Sequence, residues 1–142
     1  VAVAPEIEED ENEAIEVVTP ATYYLKNGKH YIVYEEVVEG TSGVIKNRIK
    51  INGEECVEIV KSGLSNSHMI FEKNKKNQTF YKTPYGQMLI GVNTRHLQVD
   101  FEEDKIAVQI DYELDVNHEP MADCKIRMNI VSKDSGKFSV LS

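Results

Sequence analysis

The feature that most constrains the fold of this chain is the regular spacing of its turn signals, which leave β-type runs of about ten residues. Asn27-Gly28 and Asn52-Gly53 are the strongest hairpin signals, because both central residues of a type I′ turn need positive φ. Further breaks contain Gly, Pro, Asn or Asp, and they fall at Glu39–Gly43, Lys73–Asn77, Thr83–Gly86, Glu102–Asp104, Asn117–Pro120 and Asp134–Gly136. No segment sustains helical periodicity, so the sequence predicts an all-β chain.

The clearest alternation of apolar and polar residues lies in the C-terminal half of the chain. Apolar residues share one face of the run 106–116, and the same pattern returns over 125–130. A turn centred near His118 pairs Ile110 with Ile126 and also pairs Asp111 with Lys125. One register therefore satisfies both the core and the charges, as expected of a well-specified hairpin.

Many short strands joined by hairpin-length connections must protect their edges from other chains. Closure into a single antiparallel up-and-down barrel of about eight to ten strands does this best, so we expect that fold. A sandwich of two sheets is the alternative. In either case one inner face must be filled by side chains or by a ligand.

The negative charge of the chain is concentrated at its start. Of 24 acidic residues, seven lie in residues 1–16, which contain no Lys or Arg, and 17 acidic residues remain in 17–142 against 16 basic ones. We expect 1–16 to be a solvated acidic arm, flexible or partly ordered, and 17–142 to be the β-barrel domain. The lack of a net basic surface argues against a nucleic-acid partner.

The sequence gives only general information about the cellular compartment of the protein. No apolar run approaches the roughly 18 residues that span a bilayer, and no basic segment precedes an apolar one as in a signal peptide. Cys56 and Cys124 are too few for a disulfide framework. We therefore expect a reduced, cytoplasmic protein with no membrane partner.

Two segments are more constrained than an ordinary turn, Lys61-Ser62-Gly63 and the corner that contains Tyr81, Thr83 and Tyr85. In this corner Pro84 fixes φ and Gly86 permits positive φ, while the two tyrosines flank the bend. The corner can seal one end of the barrel, or it can control access of a ligand. The sequence leaves both interpretations open.

Arg95 is the charged residue whose position is most unusual. Strict alternation places it on the same face as Leu97, Val99 and Phe101, and therefore inside the barrel, unless a bulge at Gly91 shifts the parity. Structural pairing or exposure of Arg95 is the favoured interpretation, and recognition of an anion is the alternative. A buried guanidinium needs a carboxylate, a group of carbonyls or an anionic ligand. Lys61 raises the same question.

The pattern of these residues resembles that of the YwiB-like family. The matching positions, in chain order, are Tyr34-Glu35-Glu36, Gly40, Lys61-Ser62-Gly63, Met69, Phe71, Tyr81, Thr83-Pro84-Tyr85-Gly86, Thr94, Tyr112 and Leu114. The resemblance covers roughly residues 14–131, and the Thr-Pro-Tyr-Gly turn is its most specific element. It implies a lipocalin-like (calycin) barrel of bacterial origin, with no established activity.

No catalytic, metal or cofactor motif is present. The four histidines are scattered without zinc-ligand spacing, and no phosphate-binding loop occurs, so we expect no metal and no cofactor. The favoured hypothesis is a non-enzymatic barrel that binds an amphipathic or anionic small molecule through Lys61, Tyr81, Thr83, Tyr85 and Arg95. The alternative is a barrel with a solid core that serves as a protein-interaction or scaffold domain.

Overall fold

The computed structural model describes residues 2–10, 13–16, 18–37, 39–63, 66–83 and 86–132. All of its regular elements are strands: β1 Ala2–Asp10, β2 Glu13–Glu16, β3 Thr19–Pro20, β4 Thr22–Lys26, β5 Lys29–Val37, β6 Val44–Asn52, β7 Cys56–Gly63, β8 Ser67–Glu72, β9 Lys76–Thr83, β10 Gly86–Phe101, β11 Lys105–Val116 and β12 Glu119–Val131. The prediction of an all-β, antiparallel chain with about ten strands is confirmed. The predicted breaks at Pro84-Tyr85 and at Asp134–Gly136 lie outside the described residues.

The strands form two sheets. The first has seven strands in the order β2-β1-β12-β11-β10-β9, with β3 also paired to β1, and the second has the order β4-β5-β6-β7-β8. The chain passes between the sheets at Ala21 and again at 73–75. In the described part of the chain no strand pairing joins the two sheets, so the predicted closure into one barrel is not seen in the ladders.

The β11–β12 hairpin has the register that its sequence predicts. Ile110 is paired with Ile126, and Asp111 is paired with Lys125. Asn117 and His118 have φ values of 50° and 70°, as the two central residues of a type I′ turn require. The local alternation of apolar and polar residues was therefore enough to define this pair of strands.

The two Asn-Gly signals behave differently. Asn27 and Gly28 have φ values of 53° and 75°, which gives the tight turn expected between β4 and β5. Asn52 instead remains in β6 and pairs with Cys56, so the turn spans three residues and only Gly53 has positive φ. The hairpin is present, but Asn52 belongs to the strand, and the loop consists of residues 53–55.

The core lies between the two sheets and fills the middle of the molecule. Phe71 contacts Tyr112 edge-on with ring centroids 4.9 Å apart, which joins β8 to β11 across the layer. The side chains that are at most 2% exposed come from both sheets and include Ile32, Ile49, Ile51, Val57, Leu97, Val108 and Ile110. The centre is therefore solid.

The acidic arm contains two strands. Residues 2–10 form β1, which pairs with β12 along its length, and residues 13–16 form β2 on the other side of β1. The register sets Glu6 opposite Arg127 and Glu8 opposite Lys125. Because basic positions on β12 match acidic positions on β1, the charge density of the arm does not prevent strand pairing.

Gly91 makes room for a buried carboxylate on the first sheet. Asp115 is 6% exposed, and it pairs with Gly91 across β10 and β11. Its Oδ2 atom lies 2.6 Å from Lys76 Nζ on β9. A Cβ atom at position 91 would overlap Asp115 Oδ1, so only glycine lets the carboxylate lie across the strand.

We expect Gly91→Ala to lower the free energy of unfolding by about 1–3 kcal/mol, since it overpacks this position. Urea denaturation monitored by circular dichroism measures the change. In an Asp115→Ala background the same substitution should cost much less, because the overlapping oxygen is gone. An equal cost in both backgrounds would contradict this explanation.

Candidate ligand-binding site

A cavity of about 380 Å³ lies at one end of the two sheets, and we call it the end cavity. The β4–β5 hairpin contributes one side of it, and the turn between β10 and β11 contributes the other. The described residues that line it are the aromatic residues Tyr23, His30 and Phe101, the turn Glu102–Lys105, the apolar residues Ile106, Ile130 and Val131, and Ser132. Aromatic and apolar surface thus lies next to charged groups.

A short chain of rings forms the floor of the end cavity. The tight turn at Asn27-Gly28 pairs Tyr23 with Ile32, which makes Tyr23 and His30 diagonal neighbours on the inner face. The Tyr23 hydroxyl lies 2.6 Å from His30 Nδ1. The His30 ring lies 4.9 Å from the Phe101 ring, measured between centroids, which joins the two sheets at this end.

Burial sets the protonation of these groups. It lowers the pKa of His30 and raises the pKa of Tyr23, so the imidazole is neutral and the phenol is protonated at neutral pH. The hydroxyl can then donate to Nδ1 while the imidazole carries its proton on Nε2. The Phe101 ring is 42% exposed and presents an open aromatic surface.

The rim turn, Glu102–Lys105, carries the charges at the mouth of the end cavity. The backbone N–H of Glu102 donates to the carbonyl of Lys105 at 2.8 Å and closes the turn. The N–H of Ser132 donates to the carbonyl of Asp104 at 2.9 Å, which attaches the turn to the chain just after β12. Three carboxylates and one ammonium group are therefore held beside the aromatic floor.

A second polar group, the inner polar cluster, lies on the inner face near the opposite end of the five-stranded sheet. It consists of Glu36, Asn47 and Lys61. Asn47 is fully buried, and its Nδ2 donates to Glu36 Oε1 at 2.7 Å. Lys61 Nζ lies 3.3 Å from the same oxygen. The Asn47 Oδ1 atom has no hydrogen-bond partner among the described residues.

The structure brings Lys61 to this cluster, and of the other predicted site residues it describes the side chains of Tyr81 and Arg95. Tyr81 is half-buried on β9, and its neighbour on the same face, Thr79, donates to the carbonyl of His68 at 3.2 Å. Thr83 ends β9, while its side chain and the whole of Tyr85 lie outside the described residues.

Arg95 points outward, and not inward as strict alternation along β10 would place it. Its side chain is 56% exposed and forms ion pairs with Glu113 and, at 3.8 Å, with Asp123. The pairing of β10 with β11 passes from Thr94 directly to His96, which marks a bulge at Arg95. The extra residue moves Arg95 to the outer face, while Leu97 and Val99 stay buried.

The residues that line the end cavity were missed in the sequence. His30 appeared there only as one of four scattered histidines, although the Asn27-Gly28 turn predicts its diagonal contact with Tyr23. The break at Glu102–Asp104 was recognised as a turn without a role. Its meeting with His30 depends on how the two sheets pack, which local patterns do not report.

Among the described residues, no group of three or more His, Cys, Asp or Glu side chains is arranged to hold a metal ion. In the same part of the chain, no helix has the length and apolar character to cross a membrane.

The sequence matches a known family over most of its length. Residues 1–128 match the family described as "Domain of unknown function (DUF1934)". The chain belongs to the DUF1934 family. It is 32% identical over 114 residues to "Uncharacterized beta-barrel protein YwiB" of Bacillus subtilis (strain 168), covering 80% of this chain and 78% of that protein. The resemblance to YwiB-like proteins is thus confirmed.

A solved structure supports the same assignment. The crystal structure of the ywiB protein from Bacillus subtilis aligns with a TM-score of 0.72 at 26% identity, covering 90% of this chain and 86% of that one. This DUF1934 chain therefore shares both its fold and much of its sequence with an uncharacterised β-barrel protein. The name of that relative assigns no ligand or activity.

The inner polar cluster predicts an unusual tyrosine titration. Burial, together with the charge of Glu36, raises the pKa of Tyr34 from 10.0 to about 12. Because the folded state favours the protonated phenol, the contribution of Tyr34 to the free energy of unfolding falls as the pH rises from 10.0 towards about 12. Glu36→Gln should lower the pKa of Tyr34 but leave it above 10.0, since burial is the larger cause.

Carbon-13 NMR of the tyrosine rings measures this titration, and Tyr34→Phe identifies the signal among the seven tyrosines. A pKa of Tyr34 that does not respond to Glu36→Gln would contradict the proposed coupling.

The end cavity predicts a second titration, at lower pH. Because the folded state favours neutral His30, unfolding binds a proton as the pH falls below the ordinary pKa of 6.5. The contribution of His30 is therefore complete above that pH and is lost on acidification. Nitrogen-15 NMR of the imidazoles should give His30 a pKa below 6.5, and the stability difference between the wild type and His30→Asn should shrink as the pH falls. A His30 pKa at or above that value would refute this assignment.

Proposed function

We propose that this DUF1934 protein is a non-enzymatic, small-molecule-binding β-protein and that its ligand occupies the end cavity. The observation that carries the proposal is the size of the cavity, about 380 Å³, together with its lining. Binding sites for small molecules typically enclose about 300–1,000 Å³ and combine apolar surface with a few convergent polar groups. The Tyr23–His30 pair and the rim turn supply such groups here.

The solid centre of the molecule restricts where a ligand can be held. Side chains such as Ile32 and Phe71 are completely buried between the sheets and leave no room for cargo in the middle. A ligand at the end can instead contact Phe101, which is 42% exposed. We therefore place the ligand at one end of the fold, with its apolar part on the aromatic floor and its polar part at the rim.

We also propose that the two sheets continue into one closed, lipocalin-like barrel. The relative from Bacillus subtilis is named a β-barrel protein, and its crystal structure aligns with 90% of this chain. The β8–β9 boundary supports closure, because Thr79 donates to the carbonyl of His68 across it. Closure would protect the edges of β8 and β9 from other chains.

A protein-interaction or scaffold domain remains the second candidate, and the solid centre favours it. In that case the acidic segment 1–16 would bind a basic partner and binding would weaken steeply with salt. Ligand binding in the end cavity should depend instead on the cavity residues, so the two functions predict different effects of substitution.

The experiment uses 3-phenylpropan-1-ol, a neutral aromatic alcohol, as the probe. We expect the probe to shift the nitrogen-15 amide signals of His30, of the rim turn and of Ile130. Phe101→Ala should weaken binding by about fivefold or more, because it removes aromatic contact area. Phe80→Ala is the matched control, since Phe80 is 70% exposed on β9 and lies away from the cavity.

Equal effects of the two substitutions, or shifts spread evenly over the surface, would refute the end cavity as a binding site. Native mass spectrometry of protein purified from its own host then tests for a natural ligand.

A further inference from the structure

The end cavity also indicates the chemical class of its ligand. We propose that it binds an amine: a molecule with an aromatic or apolar body and one protonated amino group. This inference rests on the proposed function, because it concerns the same cavity. Three independent properties of the cavity support it, namely its floor, its rim and the absence of cations on the floor.

The floor suits a ring or a short apolar chain. Phe101 lies at the end of β10 and exposes 42% of its surface, while His30 packs against it with centroids 4.9 Å apart. Ile106 and Ile130 add apolar surface on the same sheet. An aromatic face also attracts a cation placed above it. An amino group near Phe101 would therefore interact favourably with both the ring and the rim carboxylates.

The rim carries negative charge that forms no ion pair with the described part of the chain. Glu102, Glu103 and Asp104 are exposed carboxylates in one short turn. In the residues that the structure describes, none of the three forms an ion pair, whereas carboxylates elsewhere, such as Glu58 and Asp115, are paired with lysines. The single cation in the turn is Lys105. A ligand with an amino group would supply the missing counter-charge.

The rim turn is held in position rather than extended into solvent. Its ends are joined by the 2.8 Å hydrogen bond from Glu102 N–H to the Lys105 carbonyl, and Asp104 is attached to Ser132. The carboxylates therefore remain at the mouth of the cavity without a large cost in ordering the loop.

The floor places no positive charge against such a ligand. His30 is neutral at neutral pH because burial disfavours its charged form, and it is already paired with the Tyr23 hydroxyl. An anionic ligand would meet three carboxylates at the mouth, where like charges oppose binding. The earlier case for an anion depended on Arg95, which is exposed and paired on the outer face.

The test compares three probes that share one body and differ only in charge: 3-phenylpropan-1-amine, 3-phenylpropan-1-ol and 3-phenylpropanoate. Nitrogen-15 NMR titrations of the full chain give each dissociation constant at low and at high salt. We expect the amine to bind at least about tenfold more tightly than the carboxylate, with the alcohol between them and with the difference shrinking in salt.

Charge variants separate the rim from the rest of the surface. The triple substitution Glu102→Gln, Glu103→Gln and Asp104→Asn should remove most of the preference for the amine, so that the amine and the alcohol bind with similar dissociation constants. The matched control removes the same number of charges far from the cavity, with Glu35→Gln, Glu39→Gln and Glu119→Gln, and should preserve the preference. Amide spectra of both variants establish that they are folded.

The outcomes distinguish this inference from the proposed function. Equal binding of all three probes at the end cavity overturns the amine assignment and leaves the binding function standing. A preference for the amine that survives the rim substitutions also overturns the assignment. If no probe shifts the signals of the cavity residues, both proposals are wrong.

Discussion

The rest of the structure depends on the apolar layer between the two sheets. Each strand must present alternate side chains to this layer, and each large apolar side chain that it buries contributes about 1.5–3 kcal/mol. The layer tolerates no long break in alternation, since one slipped residue turns a whole strand over. The bulge at Arg95 is a local shift of this kind within β10. It places the charged residue outside the layer, so that Thr94 before it and Leu97 after it are both buried.

This dependence explains which parts of the fold the sequence could predict. The β11–β12 hairpin was predicted in register because its turn, its apolar face and its charges are all local and agree. Alternation alone would put Arg95 on the wrong face, because a bulge is set by the fit between strands, which alternation does not contain. The pairing of the acidic segment was not accessible to local patterns for a related reason: the basic positions that β1 meets lie on β12, more than a hundred residues away.

The same distinction between local and long-range contacts applies to the candidate site. The contact between Tyr23 and His30 follows from a two-residue Asn-Gly turn and was accessible to local reasoning. The contact between His30 and Phe101 was not, because it joins the ends of two strands in different sheets. Lys61 was singled out in the sequence as a charge that needs a partner. Its partner Glu36, however, reaches it only because β6 lies between their strands in the sheet.

The two polar regions of the interior differ in a way that bears on function. In the inner polar cluster, Lys61 and the buried Asn47 both contact Glu36, so the charges are matched within the protein. Such a group can be a structural solution to burying polar atoms near an open end. At the end cavity, three carboxylates form no ion pair with the described residues and lie beside the exposed residue Phe101. Unmatched charge beside unfilled apolar space is the arrangement that a ligand completes, so we assign binding to this end and not to the end that contains Lys61.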